Sequence, residues 1–415
     1  MPTRRELLRA ACAAGVGVAF PGLLHAGGVA PTPDWERSLI VIELDGGNDG
    51  LNTIVPWQDP VYQTKRSSLR IGQVTGLGMA TFRTGAATTA TGQLGLNLAL
   101  APLLDLWSAG EMAVALGLGM AAPNRSHFRG IDIWNTGTSS SATATDGWLQ
   151  RAVGGAATPG AEFAAHAVLM ARASSNPIAG AGVRTLAMQS PERFIADAAR
   201  LAPLAMPASN AALQHVVRTN NDVVASRQLF EAKVGTPPSF SATFPTGAFG
   251  DQCRSVAQMI AAGLKIPIYK LHLSGFDTHS DQADRHAALL TQLGQGIAAI
   301  RAALDQSGWW TRTLITTYSE FGRRVEQNGS GGTDHGTAAP HLVFGHAGNI
   351  NGGLFGVQPG LAYLDGRGDL RETSDYRRLY ATAVRFLGYD ATAALGATFD
   401  RIGEGAGEAT PLLKP

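Results

Sequence analysis

Runs of apolar residues recur along the chain, and several of them empty into short polar, glycine-rich stretches. Ser38 to Leu44 is almost continuously apolar, as a strand buried on both faces must be, and runs into Asp45-Gly46-Gly47-Asn48-Asp49-Gly50-Leu51-Asn52. Met112 to Leu118, Ile266 to Leu273, Thr311 to Tyr318 and His341 to Gly345 read as further strands. Helical spacing appears at Leu96 to Trp107, closed by Ser108-Ala109-Gly110, at Ala212 to Lys233 and at Val256 to Leu264. It is clearest from about Asp281 to Gln306, where Leu289, Leu290, Leu293, Ile297 and Ile300 share one face, and an amphipathic helix follows at Asp375 to Leu387. Alternating strands and helices predict an α/β protein.

Other segments carry less pattern. Thr53 to Gly95 is irregular in Pro, Gly and Thr and reads as a surface excursion. Residues 138–250 read as an inserted loop and helix cap on a single domain spanning 31–400. Residues 347–370 read as turns and short hairpin pieces, and 401–415 as a loose tail. No internal repeat stands out.

The polar groups at the ends of the apolar runs are the candidate chemistry. Asp45 leaves its strand at the carboxyl end, where open α/β sheets bind ligands, although an Asx turn explains the same residues equally well. Ser126 and His127 stand where a helix starts after a strand, a place that suits a nucleophile and equally an N-cap. Asp277 and His279 lie two apart after another strand, so an extended chain turns both to one side, as joint coordination of an ion requires. Glu320 follows Tyr318, with Arg323 and Arg324 behind it, and Asp334-His335 is flanked by glycines. Mid-strand His272 reads as a satisfied core histidine, and His286 as at best a neighbour of the ligands. A single such cluster is weak; the alternative to a site is polar residues that merely cap strands.

Charge narrows the partners. Lysine plus arginine number 33 against 32 acids, so no basic field points to nucleic acid. The two cysteines are Cys12 and Cys253, and Cys253 reads as a small buried apolar residue. Paired Arg4-Arg5 before a weakly apolar stretch to about Ala30 resembles a twin-arginine export signal, which places the protein in the periplasm or outside the cell, with the export machinery as a partner. Pro21 and His25 interrupt that stretch, so no stable membrane span is expected there.

Taken together, Leu44-Asp45-Gly46-Gly47-Asn48-Asp49-Gly50, Arg125-Ser126-His127-Phe128, Gly275-Phe276-Asp277-Thr278-His279, Ser319-Glu320-Phe321-Gly322-Arg323 and Gly332-Thr333-Asp334-His335-Gly336 resemble the bacterial domain-of-unknown-function 1501 family. More distantly, the order of these groups resembles the alkaline phosphatase and sulfatase superfamily. The resemblance implies a three-layer α/β/α sandwich with a mostly parallel central sheet. It further implies one or two divalent ions, Zn²⁺ or Mn²⁺ foremost and Ca²⁺ as an option, with Asp45 and Glu320 on one ion and Asp277, His279 and His335, beside Asp334, on another or a shared one. Arg125 or Arg323 would neutralise a small anionic ester substrate. The sequence departs from the superfamily at three places: the Asp277/His279 spacing, Ser319-Glu320 in place of a strand-end Asp-His, and His127 where the nucleophile stands. Ser126 attacks, or His127 attacks or coordinates, or activity is lost. The expected function is an exported metal-dependent hydrolase of phosphate or sulfate esters; the alternative is a non-catalytic exported metal- or anion-binding protein.

Overall fold

A computed structural model of the chain describes residues 34–170, 176–207, 210–405, 408 and 410–415. The twin-arginine stretch and Cys12 lie outside the described residues. A nine-stranded sheet forms the centre. Its strands are β1 (Ser38–Asp45), β2 (Met112–Gly119), β3 (Ala167–Met170), β4 (Thr185–Met188), β5 (Ile268–Ser274), β6 (Thr313–Tyr318), β7 (Ala339–Gly345), β8 (Gly353–Phe355) and β9 (Ser374–Asp375). They lie in the spatial order β8, β2, β7, β6, β1, β5, β3, β4, with β9 also on β2. Only β7 runs antiparallel to its neighbours β2 and β6.

The side-chain period of two along β1 explains the layers. Ile40, Ile42 and Leu44 join one buried cluster, and Leu39 and Val41 join another on the opposite face. The first face is covered by α3 (Ala211–Val234), α4 (Ala248–Ala261) and α5 (Gln282–Gln306); the second is covered by α1 (His127–Thr136), α2 (Trp148–Val153) and α6 (Arg377–Phe386). The result is a three-layer α/β/α sandwich with a mostly parallel sheet. Helix α5 is long and apolar enough to cross a membrane, but half of its most apolar window is buried in the fold, as befits a core helix.

Several local expectations change. The stretch expected to wander from Thr53 to Gly95 contains a long antiparallel hairpin, Val74–Arg83 with Thr89–Asn97. Gly and Thr interrupt the apolar positions there at irregular intervals and hide the period of two. The helix expected from Leu96 begins as a 3-10 turn at Leu98, because Leu96 and Asn97 still belong to the hairpin and Pro102 interrupts regular bonding. The region expected as a cap over 138–250 supplies β3 and β4 to the sheet edge and Trp148 and Leu149 to the core. Four-residue strands such as Ala167–Met170 are too short to show a period. The tail expected to be loose is pinned where Ile402, Leu412 and Leu413 are buried and the Leu412 N–H donates to the Ile402 carbonyl.

Two of the three buried imidazoles among the described residues, His286 and His341, are the most deeply sealed. Burial pushes His286 down to about 4, with Arg66 and Arg323 adding to the effect against Asp49, and burial pushes His341 down to about 3. The ordinary value is 6.5 in both cases. Between these limits the unfolded chain binds the extra protons, so stability is intact above about pH 6.5 and falls on acidification toward pH 4, by up to about 1.4 kcal/mol per pH unit for each group. Urea unfolding at pH 7.5 and pH 5 is expected to show a smaller acid loss in a His286→Gln/His341→Phe double variant than in the wild type.

Candidate metal centre

Strands β1, β5 and β6 are neighbours in register, with Asp45 opposite Ser274 and Glu43 opposite Tyr318, so their chains leave the sheet side by side. The backbones that follow touch. A Cβ on Gly46, whose φ is +118°, would stand 2.3 Å from the Asp277 nitrogen, and one on Gly332 would stand 2.2 Å from the His279 carbonyl carbon. Glycine is required at both places by this close approach.

Arg323 locks the three loops together. Its side chain is buried, its Nε donates to the Gly47 carbonyl at 2.7 Å and its Nη1 to Thr333 at 2.8 Å. Its Nη2 reaches the carbonyls of Gly46 and Phe276 and, at 2.7 Å, Asp277 Oδ1. Below it lies a second buried pair: Arg66 Nη1 and Nη2 grip the two oxygens of Asp49 at 2.5 and 3.0 Å, and Arg66 also donates to the Val325 and Arg324 carbonyls. Gln282 Nε2 donates to Asp49, and His286 Nε2 meets Asn48 Oδ1 at 2.9 Å.

Three imidazoles converge above this frame. His127 Nδ1 lies 2.8 Å from Glu320 Oε1, and its Nε2 lies 3.4 Å from Asp277 Oδ2. His335 Nδ1 lies 2.9 Å from the Arg125 carbonyl, and its Nε2 is 3.1 Å from Asp277 Oδ1. His279 Nδ1 lies 3.3 Å from Asp334 Oδ1, and its Nε2 is 3.1 Å from Asp277 Oδ1 and 3.0 Å from His335 Nε2. Every ring thus turns Nδ1 to an oxygen acceptor and Nε2 to the same carboxylate. A ligating histidine is held in this way: the outer acceptor takes the Nδ1 proton and leaves the Nε2 lone pair for the ion. Donor atoms of His127, Asp277 and His335 lie within 4.8 Å of one another, and His279 Nε2 adjoins two of the three, His335 and Asp277. Two or three imidazoles with one carboxylate fit Zn²⁺ or Mn²⁺; Ca²⁺, which takes oxygen ligands, does not suit this set.

The electrostatics divide the rings, since a raised value favours the protonated imidazole and a lowered one the neutral form. The Glu320 hydrogen bond raises the His127 value above its ordinary range, against partial burial. Burial alone would raise Asp277, but bonds from Arg323 and His335 outweigh it and hold this carboxyl down at about 2. Burial lowers His335, only partly offset by Asp277, so its neutral, ligating form is favoured.

The other candidate residues take different places. Glu320 is buried, accepts the Gly46 N–H at 2.9 Å and stands behind His127; Asp334, held by Asn328 Nδ2 at 3.3 Å, stands behind His279. Neither joins the set of converging ligand atoms. Asp45 pairs with His272 at 3.3 Å, and their hydrogen bond lowers the acid and raises the base. His272 is therefore no core histidine: Lys270, two residues earlier, shares its strand face, and that alternation of polar residues was the available signal. Arg323 is buried and bonded to four carbonyls and Asp277, and the Arg125 guanidinium lies 3.1 Å from Asp369, so neither presents its charge to a substrate. Ser126 is exposed at the N-cap of α1 and makes no capping bond with its side chain.

The chain matches the family described as "Protein of unknown function (DUF1501)" over residues 117–412 and belongs to that family. No curated protein matches the sequence. Among solved structures, a protein in the alkaline phosphatase superfamily from Vibrio parahaemolyticus is similar at 10% identity and a TM-score of 0.39, over 96% of this chain and 78% of that one. The PsFucS1 sulfatase from Pseudoalteromonas sp. is similar at 13% identity and a TM-score of 0.37, over 90% and 72%. The alkaline phosphatase from the Antarctic bacterium TAB5 is similar at 10% and 0.30, over 87% and 100%.

Removing one partner of the buried Asp49/Arg66 pair leaves the other charge uncompensated, at a cost of about 3–5 kcal/mol. Arg66→Ala is expected to lose that much in chemical denaturation. Arg66→Lys is expected to recover little, because one ammonium cannot grip two carboxylate oxygens and two carbonyls together.

Proposed function

We propose that the protein is an exported, metal-dependent hydrolase of phosphate or sulfate esters. The observation that carries the reading is the common orientation of His127, His279 and His335, each with Nδ1 on an oxygen acceptor and Nε2 on Asp277. His127, Asp277, His279 and His335 would hold the ion, with Glu320, Asp334 and the Arg125 carbonyl fixing the rings from behind. A divalent ion bound there supplies Lewis acidity to the ester oxygens and offsets developing negative charge. With His127 used as a ligand, Ser126 is the remaining nucleophile at the helix start, its hydroxyl uncommitted to capping and its neighbour Asn124 accepting its backbone N–H at 2.9 Å. The Asp45/His272 pair at the strand ends is the nearby group able to take up a proton.

One observation favours the second reading, a metal- or anion-binding protein without catalysis: both arginines that could have met a substrate anion are tied up, Arg323 in the loops and Arg125 on Asp369.

Metal content and turnover separate the two. Protein purified from the export compartment is expected to carry a divalent ion. Asp277→Ala and His335→Ala should abolish it, and Glu320→Gln should weaken it by about 10- to 100-fold. Against a panel of aryl phosphate, phosphodiester and sulfate esters, the loaded wild type should turn over at least one class, and Ser126→Ala should lower kcat by several orders of magnitude while keeping the ion. Tight binding with no turnover of any ester leaves the binding-protein reading in place. For export, Arg4→Lys/Arg5→Lys is expected to leave the protein in the cytoplasm.

A further inference from the structure

A cavity of about 240 Å³ lies beside the metal centre, lined by Arg125, Thr337, Asp365, Arg367 and Asp369 among others. We propose that it is a second anion subsite, one that takes a negatively charged group on the alcohol part of the ester. This rests on the hydrolase reading.

Two ligand-bearing segments wall both places at once. Arg125 precedes His127 by two residues, and Thr337 follows His335 by two. The Arg125 carbonyl meets His335 Nδ1 at 2.9 Å, while its guanidinium lies on Asp369 inside the cavity. The subsite and the ion site therefore share the Arg125 and His335 segments as a common wall.

The charges inside the cavity are unequally engaged. The Asp365 carboxylate accepts the backbone N–H groups of Arg367 and Asp369 at 2.8 and 2.9 Å, closing the turn between them. Asp369 is buried and lies between Arg125 at 3.1 Å and Arg324 at 3.2 Å. The lining thus holds two guanidinium groups and two carboxylates, and Arg367 is the arginine whose side chain has no hydrogen-bond or ion partner among the described residues. A free guanidinium suits a carboxylate, sulfate or phosphate group bidentately. The buried Asp369 Oδ2 is taken up by Arg125 Nη1, which leaves Arg367 as the charged group of the cavity free to meet a ligand.

Calorimetric titration of the metal-loaded protein with phenylphosphonate and with 4-phosphonobenzoate tests this, since the two probes differ only by the second anionic group. The carboxylate-bearing probe is expected to bind about tenfold more tightly, a gap the size of one hydrogen-bonded charge pair. Arg367→Ala should close the gap and Arg367→Lys should restore part of it; Arg367 is exposed, so the fold is not at stake. Equal affinity of the two probes for the wild type, or a gap that survives in Arg367→Ala, overturns the subsite and leaves the hydrolase reading standing. If neither phosphonate binds while the ion does, both readings fall together.

Discussion

The structure around the candidate centre depends on one buried cation. Arg323 has no access to solvent to offset the loss of its hydration, so its N–H groups must find acceptors within the protein. They find them on loops that adjoin different strands: the carbonyls of Gly46 and Gly47 after β1, the Phe276 carbonyl and the Asp277 carboxylate after β5, and the Thr333 carbonyl before β7. A planar guanidinium fixes directions as well as distances, so the same residue that joins the loops also aims the Asp277 carboxylate. The price is paid in sequence space: Gly46 and Gly332 have no room for a side chain.

Above that joint, the centre is organised by what lies behind each ring rather than by the rings alone. Three acceptors, the Glu320 and Asp334 carboxylates and the Arg125 carbonyl, stand on the Nδ1 side of the rings and leave the three Nε2 atoms directed at one acid. Without a cation, lone pairs so close to a carboxylate repel; with one, the same closeness becomes coordination. The Glu320 and Asp334 carboxylates, which the order of the sequence suggested as ligands, instead stand behind His127 and His279. The arginines have likewise moved from substrate to scaffold.

Much of this was legible in the chain. Strands that are apolar throughout announce burial on both faces, and five polar clusters at run ends announce a shared edge, because strand ends are where a parallel sheet exposes polar groups. The Asp277 and His279 side chains, two apart in the sequence, do meet, at 3.1 Å. What escaped was of a different kind. The hairpin at 74–97 hides its alternation under Gly and Thr, the edge strands at 167–170 and 185–188 are too short to show a period, and the Leu412-Leu413 anchor is too brief to distinguish from tail.

The residue types, and the edge of the sheet at which they gather, follow from the sequence by itself, because side-chain period and the position of glycine are local properties of a chain. Which carboxylate faces an ion, which one stands behind a histidine, and whether an arginine faces outward or is buried are settled only when distant segments meet. Glu320 accepts from Gly46, 274 positions away, and Arg125 meets Asp369 and His335 from a loop that adjoins neither. The physical reason is that burial and hydrogen-bond geometry belong to pairs of groups, and the partner is chosen by the packing of the whole sheet.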